Sequence, residues 1–348
     1  MNHIQDKYDF TYSVALVRTL ENFLLNENEV ERMVLAKSAN ESFKILNELD
    51  YSDNKVGIND VADFQEVINE GLIDIKTTLE KVTPNKRILQ IIWLQYDFHN
   101  IKTLIKAFLS GKTFEDVKHL MNDLGTIPIE SLKKFIFDNE IVAPFYLEEI
   151  TETYLKKKIK KVQELFEKEH KNPQVIDLYL DQKLMKIIFN IATDSKNNFL
   201  IRYVQKLIDL SNIRLFFRMK AQDKELETYE IAFLWNGNIS FQKFQEAYKH
   251  KLSEFPETMK TSDYYKIISE GYKHYEAEKT FIFLEKEIEN HLISYIKESK
   301  LIAFGPEPLI AYFLAKANNA LSIRMILLNK LSNIEPEHIH EKLRDLYS

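Results

Sequence analysis

The sequence of 348 residues contains no cysteine, which excludes disulfides, thiolate metal sites and a cysteine nucleophile. A chain without disulfides is typical of a reducing compartment such as the cytosol. It also has only 7 glycines and 8 prolines, whereas these two residues contribute roughly 12% of an average protein. The sequence therefore has few of the residues that form the turns of β-rich folds or glycine-rich phosphate loops.

Long apolar runs and an excess of positive charge are also missing. No window approaches the run of about 18 apolar residues typical of a membrane span, and the N terminus lacks a signal-peptide pattern. The net charge is −6, which gives no general attraction to nucleic acids. We therefore expect a protein with no transmembrane span of its own and no nucleic acid partner.

Helical periodicity is what the sequence has in abundance. Apolar residues recur every three to four positions in most windows, for example over 86–109, 143–170, 199–221, 262–300 and 308–329, and each of these stripes predicts a helix. The alternation typical of strands is scarce. Because 45% of the residues are hydrophobic, the chain can form two or three cores. The sequence predicts an all-α protein.

One short string occurs three times, as YDFHNIKTLIK (96–106), IDLSNIRLFFR (208–218) and NALSIRMILLN (319–329). With Asn100, Asn212 and Ser322 aligned, the copies lie 112 and 110 residues apart. A second echo, GTIPIESL (125–132) and GNISFQKF (237–244), has the same spacing of 112. An internal repeat of this size predicts three similar helical domains, 1–112, 113–224 and 225–348.

Nine polar positions of this string form a repeat signature. In each copy a short polar residue is followed by an amide or hydroxyl and then by a cation: Asp97, Asn100, Lys102; Asp209, Asn212, Arg214; Asn319, Ser322, Arg324. The structural interpretation places the acid in the first turn of a helix, where it favours the helix dipole, and anchors the cation to a neighbouring helix or to solvent. Our hypothesis is that the three cations hold the domains together.

Patterns that could carry chemistry are weak. SGKT (110–113) resembles the end of a phosphate-binding loop, but the upstream glycine is replaced by Lys106 and the segment follows a helix; a glycine that ends the helix is the alternative. A Glu-x-x-His spacing occurs at Glu335 and His338, without the further ligands of a di-metal site. We predict no catalytic, cofactor-binding or metal-binding residue.

A lysine-rich run at 156–171 begins with KKKIKK. It is compatible with an anionic membrane surface or an acidic partner. Its Glu164, Glu167 and Glu169 favour a solvated helix instead.

The order of several segments resembles the C subunit of A/V-type rotary ATPases, the counterpart of the eukaryotic d subunit. The segments are YDFTYSVALVRTLENFLL with ERMVLAKSANESFKILNELDYS, then YDFHNIKTLIKA and DLSNIRLFFRMKA, then FGPEPLIAYFLAKANNALSIRMILLNKL with EKLRDLY. One departure is Asn319, which stands where the family usually has an acid before the last Ile-Arg pair.

The resemblance implies a function. It implies a non-catalytic subunit of three domains in a pseudo-threefold, funnel-like body, cytoplasmic and peripheral to the membrane. Its partners would be the D-type and F-type central-stalk subunits and the membrane rotor ring of proteolipid subunits, between which it would transmit torque that drives Na⁺ or H⁺ transport. A free helical-repeat adaptor unrelated to rotary motors is the alternative, and an enzyme with a site assembled from distant residues comes third.

Overall fold

A computed structural model describes residues 7–48, 61–138, 140 and 150–348 of the chain. None of these residues lies in a strand, which confirms the all-α prediction. The α-helices are α1 (Thr11–Leu20), α2 (Glu27–Leu35), α3 (Ala39–Glu48), α4 (Phe64–Val82), α5 (Gln90–Leu109), α6 (Phe114–Val117), α7 (Ile129–Lys133), α8 (Glu152–Lys168), α9 (Gln174–Asp194), α10 (Asn198–Ala221), α11 (Leu226–Ala232), α12 (Phe241–Tyr248), α13 (Phe255–Thr258), α14 (Tyr265–Glu278), α15 (Ile282–Lys297), α16 (Glu307–Leu331) and α17 (Pro336–Lys342).

Short helices of other types lie between the α-helices. A π-helix spans Lys134–Asp138, and 3₁₀ helices span Lys7–Phe10, Glu21–Phe23, Val61–Asp63, Lys86–Leu89, Lys118–Leu120, Leu252–Glu254 and Glu298–Leu301. Within the described ranges, no helix combines the length and the apolar character that crossing a bilayer takes.

Side-chain caps fix the starts of several helices. At α2, the Asn26 side chain accepts a hydrogen bond from the Glu29 amide (3.1 Å), and the Glu29 carboxylate accepts one from the Asn26 amide (2.9 Å). The Thr151 hydroxyl accepts from Tyr154 at the start of α8, and Asn197 accepts from Leu200 at the start of α10. Each cap satisfies an amide that has no partner within its helix.

The chain forms two compact units. The first unit comprises the described residues of 1–89 and 263–348, and the second unit comprises those of 90–262. In the first unit α16 packs against α1, α3 and α4, and in the second unit α9 packs against α5, α8 and α10. The division into three repeat domains stays a prediction.

The second unit contains a dense aromatic core. The Phe216 ring stacks on Phe255 at a centroid distance of 3.9 Å and meets Tyr229 edge to face at 5.7 Å. Phe244 and Tyr248 pack around the same ring. Aromatic pairs in these geometries stabilise a core beyond the effect of their buried area. The central ring, Phe216, belongs to α10, whose polar residues are described below.

The continuous periodicity over 262–300 does not form one helix. The chain leaves the helical conformation at Lys279, where φ is +57°, and α14 and α15 then pack against each other. The prediction of a single helix there is wrong. The segment has neither a proline nor a glycine at this position, so tertiary packing, and not a local breaker, ends α14.

The SGKT motif is the end of a helix. Gly111 follows α5 with φ of +70°, a conformation that glycine adopts without strain, and the Lys112 amide donates to the Ala107 carbonyl at 2.9 Å. The Thr113 amide and hydroxyl both donate to the Asp116 carboxylate at 2.8 Å, which starts α6. The motif thus links two helices and does not form a phosphate loop.

Candidate functional site

Asp97 is a fully buried carboxylate in the middle of α5. It accepts hydrogen bonds from the Thr126 amide (2.7 Å), the Thr126 hydroxyl (2.9 Å) and the Ile127 amide (2.8 Å). Donors of this kind are what a buried carboxylate needs in place of water. Gly125 makes the approach possible, because a Cβ atom at that position would lie 2.6 Å from Asp97 Oδ1. Asp97 therefore fixes the segment that precedes α7.

Asn100, one turn further along α5, holds a second segment. Its Nδ2 donates to the Asn122 carbonyl at 2.8 Å, and its Oδ1 accepts from the Asn122 amide at 2.9 Å. The side-chain amide thus pairs with both polar groups of one backbone residue. We call this arrangement an amide clamp. Since Asn100 is fully buried, water cannot reach its side-chain amide. The clamp supplies the hydrogen bonds that this amide requires.

The same contacts recur on α10. Asp209 accepts from the amides of Asn238 and Ile239, both at 3.0 Å, and Asn212 clamps Leu234 with bonds of 2.8 and 2.9 Å. The residue separations are identical in both copies, 29 and 30 residues for the carboxylate and 22 for the clamp. Gly237 again provides the space: its Cβ would lie only 2.2 Å from Asp209 Oδ1.

Tyr229 adds a contact to the clamp on α10. Its hydroxyl donates to the Asn212 carbonyl at 3.2 Å. Burial, with a smaller effect from Tyr248, raises the pKa of Tyr229 well above its ordinary value, so the phenol keeps its proton at all physiological pH values. It therefore remains a donor in this network.

The recurring acid does not lie in the first turn of a helix. The first turns of α5 and α10 contain no acidic residue, and both aspartates lie in the buried middle of their helices. The first-turn interpretation is wrong, because these carboxylates bind backbone amides of a distant segment and do not act on the dipole of their own helix.

In the third copy, on α16, the equivalent polar residues are buried but do not form hydrogen bonds with described residues like those on α5 and α10. Asn319 and Ser322 are each 1% exposed. The side-chain atoms of both have no hydrogen-bond partner among the described residues. Instead, the neighbouring Asn318 donates to the Asp345 carbonyl at 2.9 Å, and the Asp345 amide donates to Asn290 Oδ1 at 2.9 Å. Two asparagines outside the signature, Asn290 and Asn318, thus bind the segment that follows α17.

Replacement of Ser322 by alanine is expected to raise the free energy of unfolding by about 1 kcal/mol, since it removes a buried hydroxyl that has no partner among the described residues. Urea denaturation followed by circular dichroism measures this change. Ser332, which is exposed, provides the matched control, and Ser332→Ala should change stability by less than about 0.5 kcal/mol. A clear loss of stability in Ser322→Ala would show that the hydroxyl has a partner.

The recurring cations differ in their contacts. Lys102 pairs with Asp181 of α9 at 2.7 Å, and Arg324 donates to Gln65 of α4 at 2.8 Å. Arg214 is half-buried and forms no hydrogen bond or ion pair with any described residue. Lys102 and Arg324 thus each join two helices within one compact unit.

Lys102→Met is expected to lower the free energy of unfolding by about 1 kcal/mol, because the ion pair with Asp181 is only partly shielded from solvent. Arg214→Met is the matched control and should leave stability unchanged. Both tryptophans, Trp93 and Trp235, lie in the second unit, so their fluorescence in a urea titration reports its unfolding. Equal effects of the two substitutions would contradict the distinction between them.

Metal-binding groups do not converge in the described part of the chain. No set of three or more His, Asp or Glu residues there could hold a metal ion. His338 lies 3.3 Å from Glu341, and His340 lies 3.3 Å from Glu31. A cleft of about 510 Å³ in the first unit has Lys37, Lys330 and Glu335 as its charged lining residues. One carboxylate without a histidine does not form an acid–base pair.

The sequence signature therefore marks internal structure. The repeated pattern identified the buried carboxylates and side-chain amides, but it did not identify the backbone segments that they bind. The repeated GTI (125–127) and GNI (237–239) were the available signal for those segments. They lie 112 residues apart, which is also the spacing between Asp97 and Asp209, the residues that bind them.

Comparison with known proteins connects this structure to a family. A family model described as ATP synthase (C/AC39) subunit matches residues 13–342. The C subunit of the A-type ATP synthase of Methanocaldococcus jannaschii is 24% identical, with 98% of this chain and 88% of that protein covered. The C subunit of the V-type sodium ATPase of Enterococcus hirae is also 24% identical, with 95% and 97% covered. The C subunit of the A-type ATP synthase of Pyrococcus furiosus is 22% identical, with 95% and 89% covered.

Proposed function

Since the chain belongs to the ATP synthase (C/AC39) subunit family, we propose that it is the non-catalytic rotor subunit that links the central stalk to the membrane rotor ring. In this role it transmits torque between ATP hydrolysis and ion transport. The observation that carries the proposal is the family match, which extends over nearly all of the chain.

The internal structure supports a mechanical role. A subunit that transmits torque must resist bending, and helices joined by buried polar contacts resist it better than helices joined by apolar packing alone. Asp97 and Asp209 fix distant segments to the middles of the two long helices α5 and α10, and Asn100 and Asn212 fix two more. The low glycine content removes backbone freedom from the same elements.

The partners follow from this role. We infer that the chain binds the D-type and F-type central-stalk subunits on one side and the ring of proteolipid subunits on the other. It would then lie on the cytoplasmic side of the membrane as a peripheral subunit. The three repeat domains, 1–112, 113–224 and 225–348, would form a pseudo-threefold, funnel-like body with Lys102 and Arg324 at two of their junctions, whereas Arg214, which pairs with no described residue, would not contribute to a junction. Lys102 and Asp181 belong to different predicted domains, as do Arg324 and Gln65, which supports this part of the proposal.

A bridging assay tests the link directly. The purified chain is mixed with an immobilised stalk subcomplex of D-type and F-type subunits, then with the detergent-solubilised ring. We expect the ring to be retained only when the chain is present, because the chain supplies both interfaces. Serum albumin in place of the chain is the negative control. If the immobilised stalk retained neither the chain nor the ring, and the chain were recovered from native membranes as a lone soluble species, the unrelated adaptor would be favoured instead.

A further inference from the structure

Four lysines form a cationic face where α8 and α9 pack side by side. Lys157 and Lys158 belong to the KKKIKK run on α8, and Lys183 and Lys186 lie on α9. Burial lowers the pKa of Lys158, and the charges of Lys183, Lys157 and Lys186 lower it further. Burial and the charge of Lys186 lower the pKa of Lys183 in the same way. Lys158 thus lies within electrostatic reach of the other three lysines, and Lys183 within reach of Lys186. We call these residues the lysine face.

Two tyrosines lie beneath the lysine face. The Lys158 ammonium is 4.9 Å from the ring centre of Tyr154, and the Lys183 ammonium is 4.7 Å from that of Tyr179. Cation–π contacts at such distances hold the charged groups in place. Both rings are partly exposed, so the surface combines fixed positive charge with aromatic edges.

Four acidic residues of α8 and α9 form ion pairs with lysines outside the lysine face. Within α8, Glu152 pairs with Lys156 at 2.6 Å and Glu164 pairs with Lys161 at 3.3 Å. On α9, Asp177 and Asp181 pair with lysines of α5. No member of the lysine face forms an ion pair with another described residue. Four lysines that form no ion pair with a described residue thus lie on two adjacent helices of a protein whose net charge is −6.

We propose that the lysine face binds the surface of an anionic membrane. A bilayer offers many mobile phosphates that can meet cations spread over two helices, and its headgroup region accommodates tyrosine rings. An acidic polypeptide would have to match the spacing of the lysines with fixed carboxylates and would gain less from the tyrosines. Because α8 directs Leu155, Val162 and Phe166 into the protein core, the helix lies on the membrane surface and does not insert. This lipid contact goes beyond the proposed link between stalk and ring.

The test is sedimentation of the full-length chain with phosphatidylcholine vesicles, with and without phosphatidylglycerol. We expect binding only to the anionic vesicles, and it should weaken as salt rises because the charges are exposed. Each lysine near an anionic surface contributes about 1 kcal/mol, which corresponds to about fivefold in binding. The double variant Lys157→Gln/Lys186→Gln, which changes the two exposed members, should therefore bind about 25-fold more weakly.

Lys112→Gln/Lys224→Gln is the matched control, since it removes two exposed lysines of the second unit that lie on neither α8 nor α9. It should bind within about twofold of the unaltered chain, because its two lysines are not part of the face. Melting curves establish that both variants fold. The proposal is overturned if anionic vesicles do not bind the chain, or if both double variants lose binding equally. Binding to polyglutamate but not to vesicles would also overturn it, in favour of an acidic polypeptide. Because the assay contains neither stalk nor ring, its outcome is independent of the bridging assay.

Discussion

Replacing Asn212 with alanine is expected to lower the free energy of unfolding of the second unit by about 4 kcal/mol. The substitution removes both hydrogen bonds to Leu234 and leaves the Leu234 amide and carbonyl buried without partners. Each orphaned group costs about 1–3 kcal/mol. Urea denaturation followed by tryptophan fluorescence measures the change, since Trp235 is adjacent to the clamped residue.

Asn190→Ala is the matched control for this prediction. Asn190 lies on the exposed face of α9 in the same unit, so the same chemical change there should alter stability by less than about 0.5 kcal/mol. If the two alanine variants unfolded at the same urea concentration, the amide clamp would contribute nothing to stability and the structural role of the signature would be refuted.

Gly237→Ala should destabilise the second unit by about 3 kcal/mol. The added Cβ would lie 2.2 Å from Asp209 Oδ1 and 3.1 Å from the Ile208 side chain. The segment must withdraw, which weakens the bonds from Asn238 and Ile239 to a fully buried carboxylate. Backbone strain is not the cause, because the φ angle of Gly237 is not positive. Chemical denaturation of the variant measures the loss.

A double-mutant cycle isolates the cause of this loss. Asp209→Ala removes the atom that the new methyl group would meet, so Gly237→Ala should cost much less in that background than in the unaltered chain. Gly111→Ala serves as a comparison, because open space surrounds Gly111 and only its φ of +70° opposes a side chain; we expect a cost of about 1 kcal/mol. Additive effects of Asp209→Ala and Gly237→Ala would contradict the steric explanation.

The helical fold was predictable because periodicity dominates the sequence. The 199–221 and 308–329 stripes correspond closely to α10 and α16. The break at Lys279 was not predictable, since no proline or glycine marks it and the packing of α14 on α15 decides the conformation. The beginning of the helix predicted over 143–170 lies partly outside the described residues, and α8 begins at Glu152.

The signature residues were predictable as a set, but their roles were not. Repetition singles out Asp97 and Asp209, yet a sequence does not show that GTI and GNI supply the amides that bind them. Lys102, Arg214 and Arg324 occupy equivalent positions and have different surroundings, because each contact depends on a side chain from a non-equivalent helix. Asn319 and Ser322 show the same limit, since they are buried like their counterparts but bind no segment among the described residues.

Ion transport by the assembled ATPase tests the central claim most directly. Membranes that contain the complex are depleted of this protein, and ATP hydrolysis and ATP-driven ion uptake are measured before and after the purified chain is added back. A link between stalk and ring predicts that depletion abolishes ion uptake while ATP hydrolysis continues, and that the added chain restores uptake. Ion uptake at the original rate in the depleted membranes would contradict the proposed function.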